Sequence, residues 1–96
     1  MPSSHDKVAM RLARKNRVGY NRGQGPDVKA KHRVIEIETA NTIRDGFRQL
    51  QGYKKPVYIA GADDRATREA LRITRNTTIG VMDPYGNILK RSTRKR

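Results

Sequence analysis

The sequence contains no cysteine and no tryptophan, and only one of its 96 residues is phenylalanine. The lack of cysteine excludes disulfide bonds and cysteine-ligated zinc sites. No apolar run approaches the ~18 residues that a membrane-spanning helix needs, and no hydrophobic signal segment follows the first residues. We therefore expect a soluble, intracellular protein of the cytoplasm that has no membrane partner.

Negative charge is also scarce, because 9 acidic residues stand against 22 lysines and arginines, for a formal net charge of +13. Such an excess indicates a polyanionic partner, most simply nucleic acid. A membrane surface is the weaker alternative, since no helical pattern combines a bulky apolar face with a basic one. Only 34% of the residues are hydrophobic, so residues 1–96 predict a single domain with a lean core. A homodimer would bury further apolar surface.

Three of the nine acidic residues lie within one short stretch, residues 27–38. Side chains alternate along a strand, so Glu36 and Glu38 share one face and the isoleucines beside them share the other. Asp27 opens a preceding strand, and a turn between the two strands folds it back beside Glu36. Carboxylate oxygens are the ligands that Mg²⁺ prefers, which favours a divalent metal site. The alternative is that these acids face solvent in cross-strand ion pairs with nearby basic residues such as Lys29.

The remaining sequence predicts alternating helices and strands around this stretch. Helices are expected over residues 3–15, 39–53 and 63–74. Further strands are expected over residues 17–20 and 57–62, with a terminal hairpin at 79–82 and 87–90 and a mobile basic tail at 91–96. A buried strand after a crossover helix predicts a right-handed β-α-β unit with parallel pairing. The second helix follows the acids directly, so its positive end is expected to favour an anion there.

The acidic stretch has the form of a known motif. Pro26-Asp27, a short hairpin and then Glu36-Ile37-Glu38 resemble the signature of the PD-(D/E)XK nuclease superfamily. The departure is Glu38, because the family usually has lysine at that position, although some restriction endonucleases of the superfamily also carry glutamate there. The resemblance implies an α/β fold with a restriction-endonuclease-like αβββαβ core and a mixed sheet. Here a further helix and a C-terminal β-hairpin are appended to that core.

The resemblance also implies a cofactor and its ligands. Asp27 and Glu36 would hold one or two Mg²⁺ or Mn²⁺ ions, with the backbone carbonyl of Ile37 as a possible added ligand. Family members often place one more acid in the first helix, and Asp6 is the candidate here, although a helix-capping role explains Asp6 equally well. The implied activity is cleavage of DNA phosphodiester bonds by metal-activated water. One substrate that the resemblance implies is branched DNA, as for Holliday-junction resolvases.

Two further residues have catalytic interpretations. Glu38 would accept a proton from the attacking water or bind a second metal. Lys29 shares a strand face with Asp27 and would supply the positive charge that the usual motif lysine provides, although an exposed strand lysine is commoner. Neither His5 nor His32 has an evident partner in the sequence. Both are therefore expected at the surface, and a histidine-based mechanism is not expected.

Several residues are candidates for contacts with nucleic acid, DNA more than RNA. Gln49 and Tyr53 have the spacing of the glutamine–tyrosine signature of RecB-type members of the superfamily. An arginine stripe at i, i+3 and i+7 could follow a phosphate backbone, or could instead form a solvated face. The full set is Gln49, Tyr53, Arg22, Arg48, Arg65, Arg68 and Arg72. The alternative function is a noncatalytic basic DNA- or RNA-binding protein.

Overall fold

A computed structural model describes residues 4–21 and 26–94 of the chain. Within these residues it is an α/β protein with a mixed five-stranded sheet and three α-helices. The elements are α1 (Ser4–Lys15), β1 (Val28–Lys29), β2 (Val34–Glu38), α2 (Ile43–Gln49), β3 (Val57–Gly61), α3 (Asp64–Ile73), β4 (Gly80–Met82) and β5 (Ile88–Lys90). A single 3₁₀ turn, Leu50–Gly52, follows α2.

The strands lie in the sheet in the same order as in the sequence, β1-β2-β3-β4-β5. The three central strands are parallel, and each edge strand pairs antiparallel with its neighbour. The parallel pairing of β2 with β3 and the terminal hairpin of β4 and β5 confirm the sequence predictions. Because α2 and α3 each connect two adjacent parallel strands, right-handed crossovers place both helices on the same face of the sheet.

The core has two layers, one on each face of the sheet. On one face α1 buries Leu12 against Ile35 and Ile37 of β2. On the other face α2 and α3 bury Ile43 and Ala66, among others, against β2, β3 and β4. Each fully buried aliphatic side chain of this size contributes roughly 1.5–3 kcal/mol relative to an exposed one. The alternation of β2 therefore directs its isoleucines towards α1 and its two glutamates towards the α2 side.

The predicted strand over residues 17–20 is wrong, because these residues lie in no strand. The physical reason is the C-terminal end of α1. Arg17 adopts a left-handed φ of 61°, and its N–H donates to the carbonyl of Arg14 while that of Val18 donates to Ala13. This Schellman arrangement uses backbone groups that a strand would need for its neighbour.

The predicted second helix, residues 39–53, begins too early. The structure starts α2 at Ile43, after a tight turn in which the N–H of Thr39 donates to Thr42 Oγ1 at 3.0 Å. The N–H of Thr42 donates in return to the carbonyl of Thr39 at 3.1 Å. The turn separates Glu38 from the helix, and α2 is only 7 residues long. The predicted anion site at its start is therefore not supported.

The third helix has the predicted limits and the predicted cap. Asp63 precedes α3, and its Oδ1 accepts a hydrogen bond from the N–H of Ala66 at 2.8 Å. Close packing holds α3 on β3, because a Cβ at Gly61 would collide with the backbone and hydroxyl of Thr67. A cap of this type contributes about 1 kcal/mol.

The basic tail, residues 91–96, is anchored along its described part rather than free. The N–H of Thr93 donates to the carbonyl of Thr78 at 3.0 Å. The guanidinium of Arg94 donates to the carbonyl of Tyr53 at 2.8 Å. The last two residues lie outside the described part of the chain. Residues 91–94 are therefore held by hydrogen bonds to the segments that precede β3 and β4.

Candidate active site

The pairing of β1 with β2 places Asp27 beside Glu36. In the antiparallel register Val28 lies opposite Ile35, so the residue before Val28 falls opposite Glu36. The Oδ2 atom of Asp27 accepts a hydrogen bond from the backbone N–H of Ile37 at 3.0 Å. We refer to Asp27 and Glu36 as the carboxyl pair. A two-residue edge strand is therefore sufficient to bring together two acids from the two arms of a short hairpin.

Glu36 is buried despite its charge-bearing side chain, with 5% of the residue exposed. Burial, a hydrogen bond with Asp27 and the negative charges of Asp27 and Glu38, in that order, raise its pKa to about 9. Its Oε2 atom is buried and has no hydrogen-bond partner among the described residues. A buried oxygen without a partner is costly and rare in folded proteins. Among the described residues, Glu36 Oε2 is therefore a buried acceptor whose hydrogen-bonding capacity is unused.

Glu38 lies on the same face, at the end of β2, and is also buried. A Cβ built on Gly46 would lie 2.5 Å from Glu38 Cγ, so the glycine makes room for this side chain beneath α2. Burial is the largest influence on Glu38 and raises its pKa to about 7. A hydrogen bond with Thr42 opposes that increase, Asp27 adds to it, and His5 again lowers the pKa.

The first turn of α1 is linked to the carboxyl pair through His5. Its Nε2 atom lies 3.1 Å from Asp27 Oδ2, and its Nδ1 atom lies 3.3 Å from the Tyr20 hydroxyl. That hydroxyl donates to Asp6 Oδ1 at 2.9 Å. The expectation that His5 is a surface residue without a partner is therefore wrong, whereas His32 is exposed. A helical-period signal was available, because His5 lies on the α1 face that also carries the buried apolar residues.

The other residues predicted for this site have more remote positions. The contacts of the described residues connect Asp6 to the carboxyl pair through Tyr20 and His5. Lys29 is exposed on the edge strand, and it is His5, not Lys29, that lowers the pKa of Glu38. The backbone N–H of Ile37 orients Asp27, while a ligand role for its carbonyl remains an implication of the resemblance.

A divalent metal fits part of this arrangement. Among the described residues, no three histidine, aspartate or glutamate side chains converge as a ready-made ligand set. Mg²⁺ sites in enzymes that act on phosphates commonly use one or two carboxylates, and water and substrate oxygens complete the coordination. The carboxyl pair supplies two carboxylates, and the partnerless Glu36 Oε2 offers a free ligand atom. The residues present are therefore compatible with a divalent cation that takes most of its ligands from outside the protein.

The residues of α2 predicted to contact nucleic acid lie on the surface. Arg48 and Gln49 are exposed, and Arg48 Nη1 lies 4.0 Å from Asp45 Oδ1. Tyr53, after α2, is half-buried and packs against the core. A cavity of about 410 Å³ opens on this surface and is lined by Arg44, Phe47, Arg48, Gln51 and Ile73. Basic and aromatic side chains therefore meet at this surface.

The arginine stripe of α3 is exposed, as its spacing predicts for the outer face of a helix. Arg65, Arg68 and Arg72 all project from the layer of α2 and α3. Arg72 forms an ion pair with Glu69, which matches the alternative of a solvated face for that position. Arg22 lies outside the described residues.

No helix among the described residues is long and apolar enough to cross a membrane. Comparison of the chain with protein-family models, with curated protein sequences and with solved structures gives no match.

Proposed function

We propose that this protein is a metal-dependent nuclease that cleaves DNA, with the carboxyl pair Asp27 and Glu36 as the ligands for Mg²⁺ or Mn²⁺. The observation that carries the proposal is the buried Glu36 Oε2, which has no partner among the described residues. The chain has a net charge of +13, yet among the described residues no lysine or arginine contributes to the pKa of Glu36. A divalent cation would supply the missing positive charge at this position.

The topology supports a restriction-endonuclease-like core at a finer level. A helix on one face precedes a hairpin whose second strand carries Glu36 and Glu38. That strand continues through a helix on the opposite face into the parallel strand β3. This order corresponds to the core that the motif resemblance implies, apart from its first strand. The appended α3, β4 and β5 extend the sheet on the other side.

The residues of the chain have distinct roles in the proposed reaction. A divalent cation bound to the carboxyl pair would stabilise negative charge on the phosphate and increase the acidity of a nearby water. Glu38, whose pKa is about 7, is suited to accept a proton near neutral pH. His5 and the N–H of Ile37 both contact Asp27 Oδ2 and fix its orientation.

The surface charge supports nucleic acid as the substrate. A protein that contacts ~5 phosphates loses roughly 500-fold in affinity between about 50 and 200 mM salt, because counterions are released on binding. We infer DNA rather than RNA from the nuclease motif, and backbone or shape recognition rather than base reading. A homodimer would place two sites symmetrically, which suits the cleavage of two strands at a branched junction.

A second function is favoured by one specific observation. No three acidic or histidine side chains among the described residues form a ligand set, and the hydrogen bond between Asp27 and Glu36 satisfies part of the pair without a metal. A noncatalytic protein that binds DNA or RNA would need nothing more. In that case the carboxyl pair would be a structural, proton-sharing contact, and removal of its charge would leave binding unchanged or slightly stronger.

Cleavage assays separate the two functions. Labelled duplex DNA, single-stranded DNA, four-way-junction DNA and single-stranded RNA would each be incubated with Mg²⁺, Mn²⁺ or EDTA. The test variant is Glu36→Gln, which keeps the shape of the side chain and removes its ability to ionise and bind a cation. The matched control is Glu69→Gln, which removes one charge from the surface of α3. The proposal predicts metal-dependent cutting that is lost only in Glu36→Gln. Tight binding without cutting in any metal would contradict it.

A further inference from the structure

A second concave surface lies outside the carboxyl pair, between α1, the loop before α3 and the turn between β4 and β5. It has a volume of about 310 Å³. Lys7 and Arg11 form its wall on α1, Asp64 lies on the wall of α3, and Tyr85 lies at the turn. We call this surface the Tyr85 crevice. It lies where the parallel strands end, which is the usual location of ligand sites in open α/β sheets.

The turn holds Tyr85 in a fixed position. Asp83 Oδ1 accepts hydrogen bonds from the N–H groups of Tyr85 and Asn87, both at 2.9 Å. The Asn87 amide donates to the other carboxylate oxygen at 2.9 Å, and Gly86 adopts a φ of 86°, which glycine tolerates best. Because the turn is held by its own hydrogen bonds, the tyrosine ring is presented without further ordering of the backbone.

The ring of Tyr85 is exposed and has a cation over one of its faces. The residue is 63% exposed, an unusual amount for an aromatic side chain. The Arg11 guanidinium carbon lies 4.5 Å from the ring centroid, and Arg11 Nη1 donates to the carbonyl of Pro84 at 2.8 Å. Lys15 Nζ donates to the Tyr85 carbonyl at 3.2 Å. Two residues of α1 therefore fix the turn against the helix and leave much of the ring open.

The charge around the ring suits one kind of occupant. The outer side of α1 is basic, and its exposed cations are Lys7, Arg11, Arg14 and Lys15. The opposite wall carries two exposed carboxylates, that of Asp64 and that of Asp63, whose Oδ1 caps α3. A nucleotide presents a negative phosphate and, on its base, N–H donors and an aromatic face. The phosphate would lie beside the cations of α1, and the base would stack on the Tyr85 ring. The N–H groups of the base would point towards Asp64.

We propose that the Tyr85 crevice binds an unpaired nucleotide of a single-stranded segment, with the base stacked on the face of Tyr85 opposite Arg11 and the phosphate beside Lys7 and Arg11. This inference rests on the proposed function only in that it takes nucleic acid as the partner. A base inside a duplex is stacked on its neighbours and cannot reach the ring. The crevice therefore gives the protein a preference for single strands, frayed ends or junctions, and α1 connects it to the carboxyl pair through His5.

The test measures binding in EDTA, so that it does not depend on cleavage. Fluorescence anisotropy would follow labelled single-stranded DNA, single-stranded RNA of the same sequence, and the matching DNA duplex. The variants are Tyr85→Ala and Tyr85→Phe, with Leu89→Ala as control, since Leu89 is the other exposed large hydrophobic residue of the described chain, at 51%. Stacking on one aromatic residue predicts a roughly 5- to 140-fold loss of single-strand affinity in Tyr85→Ala.

The expected pattern is specific. Tyr85→Phe keeps single-strand affinity, Leu89→Ala changes nothing, and duplex affinity changes less than about twofold in every variant, because stacking on the ring requires an unpaired base. The DNA and RNA arms show whether the sugar matters, and a loss on either supports the crevice. An equal loss on single strands and duplex, no loss in Tyr85→Ala, or no binding by the unmodified protein would overturn it. Binding that depends on Tyr85 but is not followed by cleavage would contradict only the proposed nuclease activity. Cleavage together with unchanged binding by Tyr85→Ala would contradict only the proposed nucleotide site in the crevice.

Discussion

Two glutamates in this protein, Glu69 and Glu36, have opposite environments. Glu69 lies on the surface of α3 beside Arg72, whose hydrogen bond lowers the pKa of the glutamate. Glu36 lies inside β2, and burial, as the largest cause, raises its pKa to about 9. In a chain with a net charge of +13, a counter-charge is readily available to an acid at the surface. Glu36 has no such partner among the described residues, and under the proposed function a divalent cation would take that place.

The largest effect is expected when the charge of Glu36 is removed. Glu36→Gln should lower the rate of metal-dependent cleavage by about 10²- to 10³-fold, the usual effect of losing one group that stabilises charge in the transition state. Glu69→Gln should leave the rate unchanged, because its partner Arg72 is exposed and solvated. Single-turnover assays with both variants make the comparison. Equal cleavage rates in the two variants would contradict a role in cleavage that is specific to Glu36.

The second expected effect concerns pH and stability without metal. The pKa values of Glu36 and Glu38 are raised from 4.5 to about 9 and about 7. The folded state therefore keeps protons that the unfolded chain has released, so the free energy of unfolding falls as pH rises through this window. In EDTA the melting temperature should decrease from about pH 5 to about pH 9.

Glu36→Gln sharpens this prediction. Without an ionisable group at position 36, the melting temperature should decrease only until Glu38 has titrated, near pH 7, and stay level above that. The variant should also be more stable than the unmodified protein at the alkaline end of the range. Differential scanning calorimetry across the range would measure both curves. Parallel curves above neutral pH would show that Glu36 is not the group responsible.

A third effect concerns the orientation of the carboxyl pair. His5 lies 3.1 Å from Asp27 Oδ2, and partners of this kind commonly contribute about 10- to 100-fold to metal affinity. His5→Ala should weaken Mn²⁺ binding by that factor, and His32→Ala, at an exposed position, should not. Equilibrium dialysis measures the affinities, and equal values for the two variants would refute the role.

The smallest expected effect is structural. Gly46→Ala adds a Cβ 2.5 Å from Glu38 Cγ, so the glutamate must move or α2 must shift. Overpacking of this kind costs about 1–3 kcal/mol of unfolding free energy. Gly52→Ala is the control, because a Cβ at Gly52 meets nothing within 4 Å. Urea denaturation would compare the two, and an equally small change in both would mean that Glu38 is not confined.

The sequence predicted the elements whose signals are local. The alternation of β2, the apolar run of β3 and the Asp63 cap of α3 each depend on residues close in sequence, and all three are confirmed. From these the α/β class and the parallel pairing of β2 with β3 followed. The prediction failed where backbone geometry decides, at the left-handed Arg17 after α1.

The candidate site shows the same division. The position of Asp27 opposite Glu36 depends on a short hairpin, so its residues could be proposed from the sequence. The contact of His5 with Asp27 joins residues 22 positions apart, and the burial of Glu36 depends on the packing of α2. Apart from the helical spacing of His5, no pattern of neighbouring residues in the sequence indicates this contact or the burial of Glu36. Contacts of this kind can be identified only when the packing of the helices on the sheet is known.

The most direct test of the central claim is calorimetric titration of Mn²⁺ into the unmodified protein, Glu36→Gln and Glu69→Gln at pH 8. We expect binding to the unmodified protein and to Glu69→Gln, with release of a proton because Glu36 must ionise to bind the metal. Glu36→Gln should not bind. Absence of Mn²⁺ binding to the unmodified protein, or undiminished binding to Glu36→Gln, would contradict a metal site at the carboxyl pair.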